Sequence, residues 1–201
     1  MNSELLDGMR GRLKDRVKPS RYMHSLGVSQ TAEQLARIYG VDEDDAAIAG
    51  LLHDWDKARP VSELRDICKK YKLAGKHVRK RIPGILHSFT APMSLKAEFP
   101  QLTQSQLQAI GRHTCGAEDM EPLDMVVFIA DIIEPGRDFP DIDVLRDEVG
   151  LVSLDDLYYD TYKSTLMYLI ESDMPVYPDS LKYWNTLVEK RRDSRKARSD
   201  G

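Results

Sequence analysis

Between Leu123 and Ile133 the chain is apolar on almost every face, through Leu123, Met125, Val126, Val127, Phe128, Ile129 and Ala130, and then it carries Asp131. Apolarity all round marks a helix enclosed by other elements, so this segment is expected to form the central helix of the fold. Pro122 suits its first turn, and Pro135-Gly136 ends it. A charged, unpaired carboxylate in such a place costs several kcal/mol. Asp131 therefore requires a cation, a partner that shares a proton, or a metal ion, with a hydrogen bond to backbone as the plainer alternative.

Periodicity fills the rest of the chain with helices. Leu5, Leu6, Met9, Leu13 and Val17 recur at helical spacing and predict an amphipathic helix over residues 3–17. Pro19 ends it, and Ser20 caps a second helix, about 20–39, that Gly40 stops. Asp42 caps a third, from Asp44 to about Trp55, with His53 and Asp54 in its last turn. Arg59-Pro60 breaks the chain before a short helix from Ser62 to near Tyr71. Residues 69–81 hold seven lysines and arginines and read as a solvated surface run, with His77 a surface histidine among them. After a Pro83-Gly84 turn, helices are expected over His87–Glu98, from Thr103 or Ser105 to His113, over Asp141–Glu148, and over 154–172 behind a Ser153 cap. Pro175-Val176-Tyr177-Pro178 is extended, because each proline turns its predecessor away from helix. Asp179 or Ser180 caps a last helix that runs into a basic tail, about 189–201. With no period-2 pattern and no repeat, the fold class is all-α. No Gly/Ser/Pro-rich linker divides the 201 residues, so a single domain is expected.

Chemistry-bearing residues sit on these apolar helices. His24 lies in Arg21-Tyr22-Met23-His24, and Arg21 shares its helix face. His53-Asp54 closes the third helix, with Lys57 three residues beyond Asp54. His87 and His113 follow, and Arg137 stands just past the Asp131 helix. Histidine nitrogens and carboxylate oxygens together suit a borderline divalent cation. Cationic side chains around such an ion suit phosphoryl transfer to water, in which the metal polarises a phosphoryl oxygen or lowers the pKa of bound water.

The remaining composition excludes several classes. A formal net charge of −4 argues against a general nucleic-acid binder, although residues 69–81 and the basic tail are the places where salt-dependent RNA binding would arise. No apolar run approaches the roughly 18 residues needed to span a bilayer. Met1-Asn2-Ser3-Glu4 does not read as a signal peptide. Cys68 and Cys115 are too few for a disulfide framework or a thiolate metal site and fit a cytoplasmic protein. The apolar faces at 3–17 and 154–172 suit a core or a homodimer contact equally.

His24, then His53-Asp54, then Asp131 resembles the H…HD…D signature of the HD-domain metal-dependent phosphohydrolases. Arg21-Tyr-Met-His24-Ser, His53-Asp-Trp-Asp-Lys57, Leu86-His87-Ser, Ile110-Gly-Arg-His113-Thr114 and Ile129-Ala-Asp131-Ile-Ile-Glu-Pro-Gly-Arg137 resemble, in order and spacing, the bacterial YqeK family. Phe139-Pro140 and Pro175-Val-Tyr-Pro178-Asp179 fit the same pattern, so the resemblance covers about residues 15–188. It implies an HD-domain helical bundle with a buried metal site. The implied activity is that of a symmetrical bis(5'-nucleosyl)-tetraphosphatase, cleaving diadenosine tetraphosphate and related dinucleoside polyphosphates to two ADP. It makes His24, His53, Asp54 and Asp131 the metal ligands, for iron in one copy or two, with magnesium or manganese as alternatives. It places Lys57, His87, His113, Thr114 and Arg137 on the phosphates with Arg21 beside them. The segment Met174 to Ser180, with Pro175, Val176, Tyr177, Pro178 and Asp179, would line the base and ribose, and Tyr177 would contact the adenine. His53, Asp54, Lys57 and His87 are the expected catalytic set, with His87 and Asp54 as candidate general bases. The chain departs from the family at Trp55-Asp56, at Ile132, at Gly136 and at Cys115. Trp55 and Asp56 are expected to add bulk and charge beside Lys57.

Two competing readings differ in class. Another HD-type nucleotidase or cyclic-nucleotide phosphodiesterase would use more histidines at a two-metal site. A non-catalytic nucleotide sensor would keep the pocket, but the intact set of His24, His53, Asp54 and Asp131 argues against it.

Overall fold

The computed structural model describes the backbone of residues 3–199 and, within it, the side chains of residues 6–193 and of Lys196. Leu5 and most side chains of the basic tail beyond residue 193 lie outside the described side chains. Helix α1 (Ser3–Arg16) turns Leu6, Met9 and Leu13 into the core, with Val17 just beyond it. Its apolar face is therefore core rather than free surface. Helix α2 (Pro19–Tyr39) starts at Pro19 and is not preceded by it as a terminator. Lys18 is the N-cap, and Ser20 makes no cap; proline stands in the first turn, where a missing N–H goes unnoticed. Gly40 ends α2 in the left-handed region at φ 73°.

Helix α3 (Glu43–Leu52) is capped by Asp42, whose side chain accepts from Asp45 N–H, and it is short of bulk along Ala46, Ala47, Ala49 and Gly50. That lets it lie close on α2. A Cβ at Gly50 would stand 3.0 Å from the Val28 carbonyl oxygen. The helix stops at Leu52, three residues before the expected end, so His53 is its C-cap and Asp54 stands in the following turn.

Helix α4 (Val61–Lys70) is followed by α5 (Lys76–Arg81), a helix inside the basic run for which the sequence predicts only a solvated surface segment, with no helix assigned. Its charges remain outside, as does His77, while Val78 turns inward. A single 3-10 turn, Pro83–Ile85, leads into α6 (Leu86–Glu98). Helix α7 (Gln104–Arg112) begins with a reciprocal cap between Thr103 and Gln106. Helix α8 (Pro122–Ile133) is the expected central helix: Val126, Val127, Phe128, Ile129 and Ala130 are almost wholly enclosed by α2, α3, α7 and a later helix.

Helices α9 (Ile142–Glu148), α10 (Leu154–Glu171) and α11 (Ser180–Ser199) complete the bundle. Leu157, Tyr158, Thr161 and Tyr162 of α10 face the core, and α11 packs on α10 through Trp184 against Tyr159. A smaller apolar cluster, Leu64, Cys68, Val78 and Leu86, closes the side where α4, α5 and α6 meet. No strand occurs among the described residues, and none of their helices is long and apolar enough to cross a membrane. The fold is all-α.

Trp55 and Asp56 differ from expectation. Neither makes its contacts beside Lys57. Trp55 packs edge-on against Phe99 and lies under the Arg16 guanidinium, 4.6 Å from its ring centre. Asp56, fully enclosed, accepts from Arg16 Nη2 at 3.0 Å, Arg59 Nε at 2.7 Å and Ser94 Oγ at 2.7 Å. This pair ties the turn carrying His53 and Asp54 to α1 behind it and to α6 beside it. Asp56→Ala should lower stability by about 3 kcal/mol in chemical denaturation, the low end for breaking a buried ion pair, because both arginines keep enough exposure to rehydrate. Unchanged stability would remove Asp56 from its role as the anchor of the turn.

Candidate metal centre

Four of the five histidines meet where α2, α3, α6, α7 and α8 converge. His53, His87 and His113 have almost no exposure, and His24 is largely covered. Each ring has its Nδ1 on an oxygen that can only accept. His53 Nδ1 is 2.7 Å from Gly50 O, His87 Nδ1 is 2.9 Å from Gly84 O, and His113 Nδ1 is 2.6 Å from Ile110 O. His24 Nδ1 is 3.0 Å from Glu134 Oε1. The protons therefore sit on Nδ1, and in the neutral rings all four Nε2 atoms are bare lone pairs.

Those lone pairs face one another and two carboxylates. His24 Nε2 is 3.2 Å from His53 Nε2 and 3.0 Å from Asp131 Oδ1. His53 Nε2 is 3.7 Å from Asp131 Oδ1 and 3.5 Å from Asp54 Oδ2. Across Asp54, His87 Nε2 is 3.2 Å from His113 Nε2, and Asp54 Oδ1 is 3.0 Å from His87 Nε2 and 3.7 Å from His113 Nε2. Acceptor facing acceptor is repulsive; a shared cation turns all these contacts attractive at once. Donor atoms on neighbouring positions of one ion, with bonds of about 2.1 Å, stand about 3 Å apart. The nitrogen and oxygen donors thus suit a divalent metal ion. The two carboxylates suit it as well. Burial raises the pKa of Asp131, but the positive charge that His24 and His53 carry when protonated, together with that of Arg137, outweighs it and holds the group well below the usual carboxylate range. Burial likewise raises Asp54, and His53, His113 and His87 in their protonated forms more than offset it; a metal ion supplies the same positive charge to rings that keep Nε2 bare.

Three cationic side chains frame the cluster. Arg21 Nη1 donates to Asp54 Oδ2 at 2.7 Å, and Arg137 Nη2 donates to Asp131 Oδ1 at 2.6 Å. Lys57 Nζ lies 3.4 Å from Gly84 O and from the His87 ring. Thr114 Oγ1 lies 2.8 Å from His113 Nε2.

The chain matches the HD domain over residues 21–136. It is 32% identical over 176 residues to the symmetrical bis(5'-nucleosyl)-tetraphosphatase of Bacillus subtilis, covering 88% of this chain and 94% of that one. To the protein of the same name from Staphylococcus aureus it is 35% identical over 184 residues, covering 90% and 94%. This chain belongs to the YqeK family of HD-domain proteins. A solved member of the HD superfamily, a predicted hydrolase involved in NAD metabolism from Clostridium acetobutylicum, superposes with a TM-score of 0.84 at 30% identity, covering 92% of this chain and 97% of that one.

The residues singled out by the family resemblance are brought together unevenly. His24, His53, Asp54, Asp131, Arg21, Lys57, His87, His113, Thr114 and Arg137 all lie in or against the cluster. Residues 175–180 stand one layer out. Tyr177 packs on Phe89, two residues from His87, and donates to Asp179 Oδ2 at 2.7 Å. Ser180 O accepts from Tyr162 OH, which also donates to Cys115 O beside Thr114. Cys115 borders the site with its backbone, while burial pushes its thiol up to about 12, with Asp179 adding to the shift.

Sequence reasoning missed Glu134 and Arg146. Arg146 of α9 donates to the carbonyls of Ile133, Glu134 and Arg137 and so caps α8 at its C-terminal end. The nearest sequence signal for Glu134 was its place after two isoleucines at the end of an apolar helix. Asp131→Ala should leave the purified protein with almost no bound divalent metal by elemental analysis, with helical content intact by circular dichroism. Full metal content in that variant would rule out the convergence of His24, His53 and Asp131 as the binding centre.

Proposed function

We propose that the protein is a metal-dependent phosphohydrolase that cleaves diadenosine tetraphosphate and related dinucleoside polyphosphates symmetrically, giving two ADP. The observation that carries this reading is the enclosed group of four bare imidazole nitrogens and two carboxylates, rimmed by Arg21, Lys57 and Arg137, in a chain whose relatives over almost their whole length are symmetrical bis(5'-nucleosyl)-tetraphosphatases.

In this reading His24, His53, Asp54 and Asp131 hold one divalent ion, iron by family resemblance, with magnesium and manganese as the alternatives. When bound, the ion supplies Lewis-acid polarisation of a phosphoryl oxygen and lowers the pKa of a water. The rest of the work belongs to the chain. Arg21, Lys57 and Arg137 balance the negative charge of the polyphosphate and the charge that grows on the leaving oxygen. Thr114 and His113 mark where the polyphosphate enters from the α7 side. His87, with its proton fixed on Nδ1, offers a bare Nε2 that takes a proton from the attacking water. Tyr177 and its neighbours from Pro175 to Ser180 receive one adenosine, which sets the central anhydride beside the cluster and gives the symmetrical cut. The reaction belongs in the cytoplasm, where the buried thiols of Cys68 and Cys115 stay reduced.

A second ion is the one further reading with an observation of its own. Asp54 turns Oδ2 toward His53 and Oδ1 toward His87, and His87 and His113 oppose bare nitrogens at 3.2 Å. Elemental analysis giving two metal ions per chain would assign His87 and His113 to it.

Anion-exchange chromatography of the products from diadenosine tetraphosphate should give two ADP per substrate. AMP plus ATP would displace the cut from the centre, and a metal-loaded protein that turns over neither this nor other nucleotides would be a sensor. Lys57→Ala and Arg137→Ala should each raise KM by about 10- to 100-fold, the worth of a hydrogen bond to a charged group, while metal content holds. A fall in metal content alone would move these residues from substrate to scaffold.

A further inference from the structure

The four histidines are not oriented in the same way. Three of them use their own segment: His53, His87 and His113 each donate to the carbonyl three residues back. His53 and His113 stand just past the ends of α3 and α7, where the last carbonyls of a helix are free of ladder bonds. His87 stands at the start of α6, just after the 3-10 turn. His24 lies inside α2, where the backbone carbonyls are engaged along the helix. It has no local acceptor, and its Nδ1–H goes instead to a side chain that is 110 residues away, Glu134 Oε1.

Glu134 is built into place. It is 3% exposed, and its Oε2 accepts from Gly136 N–H at 2.6 Å. Its own carbonyl is held by Arg146 Nη2 at 2.9 Å and by Arg137 N–H at 3.0 Å. Facing it on α2, almost one turn beyond His24, is Gly27. A Cβ there would stand 2.5 Å from Glu134 Oε2 and 3.3 Å from its Cδ. The carboxylate end of a glutamate is ordinarily free to swing aside, but this one is fixed by two hydrogen bonds in an enclosed space, so yielding to a methyl group means giving them up. A glycine in a helix interior is unfavourable relative to alanine; at Gly27 its reason is the room it leaves for this carboxylate.

We infer that Glu134 is the positioning residue of the centre: it fixes the tautomer and direction of His24, and Gly27 is side-chain-free in order to admit it. The inference rests on the metal-centre reading above and extends it from the inner residues to the carboxylate behind them. A carboxylate accepting from the far nitrogen of an imidazole makes the near nitrogen a better donor and prevents the ring from turning, and loss of such a partner weakens metal affinity by about 10- to 100-fold.

The test is a titration of metal-free protein with Co²⁺, followed by its visible absorption, on the full chain and four variants. Asp131→Ala, which removes an inner donor, should abolish the Co²⁺ signal. Glu134→Gln, equal in size, should weaken binding by about 10- to 100-fold and shift the absorption bands. Gly27→Ala, which leaves every polar group of the centre in place, should weaken binding in the same direction. Glu134→Gln/Gly27→Ala should bind no more weakly than the worse single variant, since both act on one contact. Helical content and the melting temperature of the metal-free variants check folding, and a purely structural role would move these and leave the cobalt constant alone. Wild-type Co²⁺ affinity and bands in both Glu134→Gln and Gly27→Ala, with Asp131→Ala defective, would overturn the inference and leave the centre standing. Wild-type binding in Asp131→Ala as well would overturn the centre itself, and this inference with it.

Discussion

With the Nδ1 proton of each clustered histidine held by an oxygen, four lone pairs and two carboxylates are left facing inward, away from water. Left to themselves these groups would separate, and a loosely packed bundle would let them. The rest of the structure can be understood as the means of holding them together. Burial discourages the carboxylates from ionising, and positive charge beside them reverses this, from Arg137 at Asp131 and from a proton or a cation on the rings at both. The negative ends and the lone pairs are then compressed into one small volume that only positive charge can relieve.

The bundle supplies the rigidity from three directions. Helix α8 brings Asp131 in on an axis packed on several sides. The close approach of α2 and α3, made possible by Gly50, sets His24 against His53. Behind the His53-Asp54 turn, Asp56 and Trp55 fasten the chain to α1 and α6 through Arg16, Arg59, Ser94 and Phe99. Asp54 and Asp56 are thus neighbours with opposite duties. One faces a cluster that needs a cation, and the other is already neutralised by two arginines.

How much of this can be read from the sequence follows the range of the interactions. Helices with local signals were legible: the caps at Asp42, Thr103 and Ser153 and the left-handed Gly40 depend on residues within a few positions of one another. The polar residues of the centre were legible because a charge on an apolar helix is costly wherever the fold places it. Pro19 was misread because a proline just after one helix and one just inside the next look alike. Helix α5 was missed because its charges hide the inward turn of a single residue, Val78. Trp55 and Asp56 follow the His-Asp pair directly in sequence, and only the path of the turn shows that they point to a different neighbourhood. The acceptors behind the histidines divide the same way. Those three residues back could have been guessed from helix ends, whereas Glu134 stands just past the end of another helix altogether.

The stretch matched as an HD domain stops at residue 136, but the physical unit does not. Arg146 lies beyond it and closes the end of α8, and Tyr162 lies beyond it and holds the carbonyl of Cys115 next to Thr114 while also holding that of Ser180. The later helices are thus joined to the earlier ones in two ways, by these bonds to backbone oxygens and by the rings of Tyr158 and Tyr162 packed on Phe128. Joints of the first kind leave the accepting side chain free to vary, whereas those of the second depend on Phe128. A fragment cut at the end of the stretch by which the family is recognised would therefore lose both the Arg146 closure of α8 and the Tyr162 bond beside Thr114.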